Sequence, residues 1–334
     1  MARFGAGFYS ARVPAIEMAS VSRLFRSRQG AFRRRMSEVD ALRDVSFSVE
    51  PGELFGLLGP NGAGKTTSIK ILTTLLLPTS GSVRVLGFDP VREPNEIRSR
   101  VGYVFGGDRG LYDRLSALDN LRYFADVYRV PARRKAARIA ELLELVGLTG
   151  RERDRVETYS RGMRQRLHIA RGLLHDPQVL FLDEPTIGLD PVGARELRET
   201  VAALRDSGKT ILLTTHYMFE ADELCGRVAV INKGRIVAEG TPASLKAGVR
   251  DTTVIEVVAF NVSDAALDTI RGLDGVESLA VTAEDQTQVL SVQSSRGAAL
   301  IQPLLGALAD AQVTSVTARE PTLEDAYVQL VSEA

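Results

Sequence analysis

The sequence predicts an α/β protein built on a largely parallel sheet, followed by a small α+β domain. Three observations carry that reading. From Val45 to about Glu239, short apolar runs alternate with amphipathic stretches, the pattern of strands joined by helices. Several of the runs are apolar at nearly every position, as strands covered on both faces must be. After Gly248 the texture changes to alternating, half-exposed strands with helices between them. At 334 residues the chain has room for about two domains.

Taken in order, residues 1–14 carry no periodic pattern and read as a tail. Strands are expected at Leu54–Leu58, Val83–Leu86, Val101–Phe105, Val179–Leu182, Thr210–Thr215 and Val228–Ile231. Helices are expected at 66–77, 119–129, 133–146, 161–175, 192–206 and 217–224, with Pro78, Gly147, Asp176-Pro177 and Gly208 as stop signals. The tract 230–239 reads as a hairpin turning at Asn232-Lys233-Gly234. Beyond Gly248, strands are expected at 252–260, 287–293 and 312–317 and helices at 264–271 and 297–309. Thr322-Leu-Glu-Asp325 opens a last helix with capping-box spacing.

Composition narrows the function classes. With 42 basic and 42 acidic residues the net charge is zero, which argues against binding a polyanion by bulk attraction. A chain that is 44% hydrophobic and 25% charged is not disordered throughout. Its one cysteine, Cys225, has no internal disulfide partner, which fits a reducing compartment. The first residues lack the continuous apolar core of a secretory signal, and no apolar run approaches the roughly 20 residues of a membrane span. Arg26, Arg28 and Arg33–Arg35 form a basic run that suits anionic lipid or nucleic acid, or else a solvated loop between two strands. The loop is the plainer reading.

Chemistry is concentrated in three places. Gly59, Pro60, Asn61, Gly62, Ala63, Gly64, Lys65 and Thr66 match G-x-x-x-x-G-K-[ST], with Thr67 next, between an expected strand and an expected helix. Glycines let backbone N–H groups crowd round a triphosphate, and the following helix N-terminus favours anions. Lys65 suits the β- and γ-phosphates, and the Thr66 hydroxyl suits Mg²⁺. Second, Asp183-Glu184 stands at the carboxyl end of an apolar strand, the edge where open α/β sheets bind ligands. There Asp183 fits a Mg²⁺ partner, directly or through water, and Glu184 fits a base that polarises an attacking water. Third, His216 follows the strand Thr210–Thr215 and emerges at the same edge, within reach of a γ-phosphate.

Together these residues resemble the ATP-binding subunit of an ABC transporter. The identifying stretch is Tyr159-Ser-Arg-Gly-Met163, similar to that family's LSGGQ signature in Ser160 and Gly162 and departing from it at Tyr159, Arg161 and Met163. Gly188-Leu-Asp190 resembles the D-loop, and Thr215-His216 the switch histidine. The resemblance covers about 15–245 and implies a phosphate-loop NTPase of ABC type, with a mixed sheet core, an antiparallel β subdomain and a helical subdomain at about 100–175. Residues 250–334 resemble the accessory domain of the drug and polyketide export branch, and Glu320-Pro-Thr-Leu-Glu-Asp-Ala326 resembles its ending.

What the resemblance implies is an ATPase using ATP and Mg²⁺ in a head-to-tail dimer. Each ATP lies between one chain's phosphate loop and Ser160 and Gly162 of the other; hydrolysis opens the sandwich and moves a separate polytopic permease. The partners implied are a second copy of this chain, or a similar one, and that permease, with no nucleic acid. The expected place is the cytoplasmic face of a membrane. Two departures stand out. The family's glutamine after the strand Val101–Phe105 is replaced by Gly106-Gly107, with Asp108 next. Either Asp108 supplies the missing oxygen to Mg²⁺ or the coupling differs. The adenine-stacking aromatic corresponds to Phe25 or to Phe32, or each is an ordinary core phenylalanine.

A soluble ABC-type ATPase acting on ribosomes or DNA is the alternative. The single phosphate loop and the lack of sustained heptads count against it. A binding module that keeps ATP without turning it over is disfavoured by Glu184 and His216.

Overall fold

The computed structural model describes residues 13–29, 35–106, 110–248, 253–284 and 287–332. It divides into two compact units, the first ending at Glu239 and the second beginning at Gly240.

The first unit holds two sheets. Strands β1 (Ile16–Gln29), β2 (Arg35–Val49) and β4 (Ser80–Val85) form an antiparallel sheet in the order β2-β1-β4. The second sheet contains β3 (Leu54–Leu58), β5 (Val101–Phe105), β6 (Val179–Asp183), β7 (Thr210–Thr215), β8 (Arg227–Asn232) and β9 (Arg235–Gly240). Its order is β5-β6-β7-β3-β8-β9, and β5, β6, β7, β3 and β8 run parallel. Every residue of β3, β6 and β7 is buried, as strands covered on both faces require. β8 and β9 form the expected hairpin: Lys233 and Gly234 both have positive φ (46° and 79°), the geometry that tight hairpin turns select.

Helices α1 (Lys65–Leu72), α2 (Pro94–Arg98), α3 (Ala117–Val127), α4 (Ala132–Leu145), α5 (Arg161–Leu173), α6 (Pro191–Asp206) and α7 (Met218–Leu224) complete the unit. Local sequence explains their starts. Ser116, Ser160 and Asp190 accept the backbone N–H of Asp119, Met163 and Gly193, respectively, as N-caps. One apolar core joins the two sheets around Ile16, Met18, Phe47, Phe55, Ile69 and Phe181.

The second unit is an α+β fold. Its antiparallel sheet has the order β11-β12-β10-β13, from β10 (Thr253–Phe260), β11 (Val276–Glu284), β12 (Thr287–Ser294) and β13 (Gln312–Arg319). Helices α9 (Asp264–Arg271) and α10 (Ile301–Ala307) bury Leu267, Ile270 and Leu304 in the core built on Ile255, Val257 and Val292. α8 (Pro242–Ala247) packs with α11 (Leu323–Ser332). The capping box at Thr322 forms: the Thr322 N–H donates to Asp325 Oδ2 at 2.7 Å and the Asp325 N–H to Thr322 Oγ1 at 3.4 Å.

Several expectations need correction. Strands do flank the basic run, as the loop reading requires, but they reach into it: Arg26 and Arg28 lie on β1 and Arg35 opens β2, with pairing that continues to Gln29↔Arg35. β1 was hidden because its register with β2 shifts three times between Met18 and Leu24, and Ser20 takes a positive φ (50°), so apolar alternation is broken. The helix expected at 66–77 ends at Leu72: the Thr73 hydroxyl bonds back to the Ile69 carbonyl, and Thr74 turns left-handed. His175 lies past the end of α5, not within it. The helix expected at 297–309 is a 3₁₀ turn, Gly297–Leu300, followed by α10. β11, α2 and α8 had not been anticipated. Asp108, Phe32 and most of the tail lie outside the described residues.

Candidate functional site

The parallel register brings separate stretches of chain to one edge. Asp183 sits beside Phe105 on one side and Thr214 on the other, and Leu57, just before the glycine-rich loop, pairs with Thr214 in turn. The loop after β3, the end of β6 and the end of β7 therefore meet at the carboxyl ends of their strands, where a doubly covered parallel sheet leaves a crevice.

The loop 59–66 delivers the chain into α1. Gly64, the residue before α1, has φ 117°, and a Cβ there would stand 2.7 Å from the Ala41 carbonyl oxygen. Only glycine fits. Asn61, Gly62, Gly64, Lys65, Thr66, Thr67 and Glu184 line a cavity of about 230 Å³. Two larger cavities, about 740 and 520 Å³, lie among α3, α4 and the end of α5, and a third of about 260 Å³ lies between α6 and α7; none of them is lined by these residues.

Lys65 is 3% exposed, and its Nζ donates to the Gly59 carbonyl at 2.6 Å and the Pro60 carbonyl at 3.1 Å. It also stands 3.0 Å from Glu184 Oε1. The other Glu184 oxygen lies 3.3 Å from His216 Nδ1, at ion-pair distance but without hydrogen-bond alignment. Glu184 itself has φ 47°, a left-handed conformation that costs a residue with a side chain about 1–3 kcal/mol. The Thr214 carbonyl and hydroxyl oxygens hold it there, accepting its N–H at 3.0 and 3.1 Å.

Asp183 is nearly buried and gathers hydroxyls. Thr214 donates to Oδ1 at 2.6 Å, Thr66 to the same oxygen at 3.2 Å, and Tyr103 to Oδ2 at 3.4 Å. Burial, and then the Asp183 charge, pushes the Tyr103 phenol well above its ordinary value, so it stays a hydrogen-bond donor. A threonine hydroxyl beside a carboxylate is a hard-oxygen pair suited to Mg²⁺, which takes one or two carboxylates and completes its shell with phosphate and water. Among the described residues no cluster of three or more His, Cys, Asp or Glu could hold a metal by protein groups alone.

Other residues singled out in the sequence lie elsewhere. Ser160 caps α5, and Gly162 lies in its first turn; neither lines the cavity. Phe25 does not line it either: it is 38% exposed on β1, beneath the Arg23 guanidinium at 4.6 Å. It is thus no core phenylalanine. Sequence reasoning missed Thr214 and Tyr103. Both were legible in principle, since they lie on strands that reach the edge of Asp183.

Residues 42–187 match the family model described as ABC transporter. The chain is 38% identical to the daunorubicin resistance ATP-binding protein DrrA3 of Streptomyces coeruleorubidus, over 90% of this chain and 94% of that protein. It is 34% identical to the linearmycin resistance ATP-binding protein LnrL of Bacillus subtilis, over 86% and 93% of the two chains. Among solved structures, the dimeric post-hydrolysis state of the ATP-binding cassette MJ0796, bound to ADP and Pi, is similar at a TM-score of 0.59 and 25% identity. That likeness spans 68% of this chain and 98% of that one.

Proposed function

The chain belongs to the ATP-binding subunits of ABC transporters and is an ATPase; from that premise we propose that it powers export through a separate membrane permease. The supporting observation is the line Lys65–Glu184–His216 at the mouth of the phosphate loop, with contacts of 3.0 and 3.3 Å. The resistance functions named for DrrA3 and LnrL point to a drug, polyketide or lipid-like cargo.

In this reading the backbone N–H groups of Asn61–Thr67 and the Lys65 ammonium hold the β- and γ-phosphates, Gly59 and Pro60 shaping the turn into the loop. Glu184 accepts a proton from the attacking water, and His216 contacts the γ-phosphate and keeps that water in line. Thr66 and Asp183 would hold Mg²⁺, which when bound neutralises the charge that develops on the phosphates. Thr214 and Tyr103 fix the Asp183 carboxylate by the hydrogen bonds described above. Phe25 stacks on adenine. Asp108 is a further candidate for the metal's shell, in place of the family's glutamine.

Ser160 and Gly162 serve the partner's ATP. Hydroxyl and backbone groups at the start of α5 give the second anion-binding element that a head-to-tail dimer needs. ATP then closes the dimer, and hydrolysis, by removing the γ-phosphate contacts, opens it. We assign 15–245 to the ATP-binding domain and 250–334 to an accessory domain. The protein works at the cytoplasmic face of a membrane through its permease; among the described residues no helix is long and apolar enough to cross one.

Isolation of the tagged chain in mild detergent tests this. The expected result is a copurifying polytopic membrane protein and ATP hydrolysis that stops on removal of divalent cations. Ribosomes or DNA in its place would favour a soluble ABC ATPase of the translation or repair type.

A further inference from the structure

We propose that Glu220 is a positioning residue that fastens the segment carrying Glu184 to the segment carrying His216, so that both address one γ-phosphate. The proposal rests on the roles given above to those two residues. Glu220, on α7, is only 1% exposed. Its Oε2 accepts the Thr215 hydroxyl at 2.9 Å, and that hydroxyl oxygen accepts the Tyr217 N–H at 3.0 Å. Residues on both sides of His216 are thereby tied to one carboxylate.

The Thr186 side chain, two residues beyond Glu184, faces the same carboxylate, and the two line one cavity of about 260 Å³. The carboxylate also faces Arg198 of α6, with Nη1 4.0 Å from Oε1. Arg198 is itself held by Glu223 at 2.9 Å and lies over the Phe219 ring at 5.1 Å. One buried group therefore joins the segment after β6, the segment after β7 and the helix α6.

Burial is costly to a carboxylate and pushes the Glu220 pKa up. If packing were all that this position supplied, an apolar side chain of similar volume would serve as well or better. What a carboxylate adds is an oxygen that accepts the Thr215 hydroxyl, with Thr186 beside it. The consequence is catalytic: a misplacement of about 1 Å between reacting groups costs on the order of 100-fold in rate.

The test compares E220A, E220Q, T215V and T215S in the full chain, measuring kcat, KM for ATP, ATP affinity by calorimetry and the melting temperature. E220A and T215V are expected to lower kcat about tenfold or more while KM and affinity stay within about twofold. E220Q and T215S, which preserve the shared hydrogen bond, are expected to keep at least about half of the wild-type kcat. Wild-type kcat in E220A, or a parallel loss of kcat, affinity and melting temperature in all four variants, would overturn the positioning role. Should E220A fail to fold, T215V decides, since it removes one hydroxyl and nothing else of size. A wild-type chain that does not hydrolyse ATP would overturn the roles of Glu184 and His216 as well. Turnover in the wild type that all four variants share would overturn this proposal alone.

Discussion

Lys65 Nζ and Glu184 Oε1 are 3.0 Å apart, and the lysine is 3% exposed while the Glu184 side chain keeps 17% of its surface. The lysine that is to meet phosphate is therefore neutralised by the carboxylate that is to activate water. A triphosphate has to compete with that carboxylate, and on winning the lysine it frees Glu184 to turn toward water and His216.

The first prediction follows from this competition. Glu184→Gln removes the base and also weakens the hold on Lys65. Hydrolysis is expected to fall about 10²- to 10⁴-fold, while ATP affinity is kept or increased. With the γ-phosphate retained, the variant is expected to dimerise in ATP, as read by light scattering. A monomer in saturating ATP would contradict the sandwich mechanism.

A second prediction concerns the replaced glutamine. Gly106 donates its N–H to the Asp183 carbonyl at 2.8 Å, and a Cβ at this position would stand 2.5 Å from the Glu184 carbonyl oxygen and 2.9 Å from Ile187 Cγ2. The backbone at Glu184 is already held left-handed, so it has little room to yield. Restoring the family residue as Gly106→Gln is therefore expected to lower the melting temperature by several degrees and reduce kcat, not raise it. A variant with unchanged melting temperature and faster hydrolysis would show that the close approach is not what excludes a side chain here.

Much of this site was legible because its signals are local. The phosphate loop, Asp183-Glu184 and His216 each follow an apolar strand, and a parallel sheet places the ends of its strands at one edge. The hairpin turn at Lys233-Gly234 and the capping box at Thr322 were readable for the same reason. What escaped carries no clean local pattern. β1 and β2 carry irregular register that erases period-two alternation, and the helix 66–77 was overextended because Leu75 and Leu77 continue the apolar pattern while lying exposed, at 61% and 53%. Glu220 was read as one more residue of an amphipathic helix. Nothing local distinguishes a glutamate that accepts from Thr215 of β7 and faces Arg198 of α6.

Phe25 gives a third prediction. Its ring is 38% exposed and already carries a cation, Arg23, at 4.6 Å, so one face is suited to stacking and little stability depends on it. Phe25→Ala is expected to raise KM for ATP by about 2- to 10-fold, the worth of one aromatic stack, with kcat and melting temperature nearly unchanged. Phe25→Trp is expected to restore affinity. An unaltered KM in the alanine variant would move the adenine contact elsewhere.

The last prediction is one of sign. His168 is 1% exposed, with neither ring nitrogen partnered among the described residues and the Phe105 ring 5.9 Å away. Burial first, then the Arg171 and Arg164 charges, lowers its pKa from 6.5 to about 3. The folded state thus binds the proton less readily than the unfolded chain does, and stability is lost as pH falls from about 6.5 toward 3, at about 1.4 kcal/mol per pH unit. Between pH 7 and pH 5 this comes to about 2 kcal/mol. His175, also lowered chiefly by burial, acts in the same direction, whereas Glu220, whose pKa is raised, acts in the opposite direction above 4.5. Both are unchanged in His168→Leu, so the difference between wild type and variant isolates His168. Urea unfolding of the full chain, followed by circular dichroism at pH 7 and pH 5, is expected to show the variant losing about 2 kcal/mol less than the wild type. Equal losses would mean that His168 takes up its proton in the folded chain as readily as in the unfolded one.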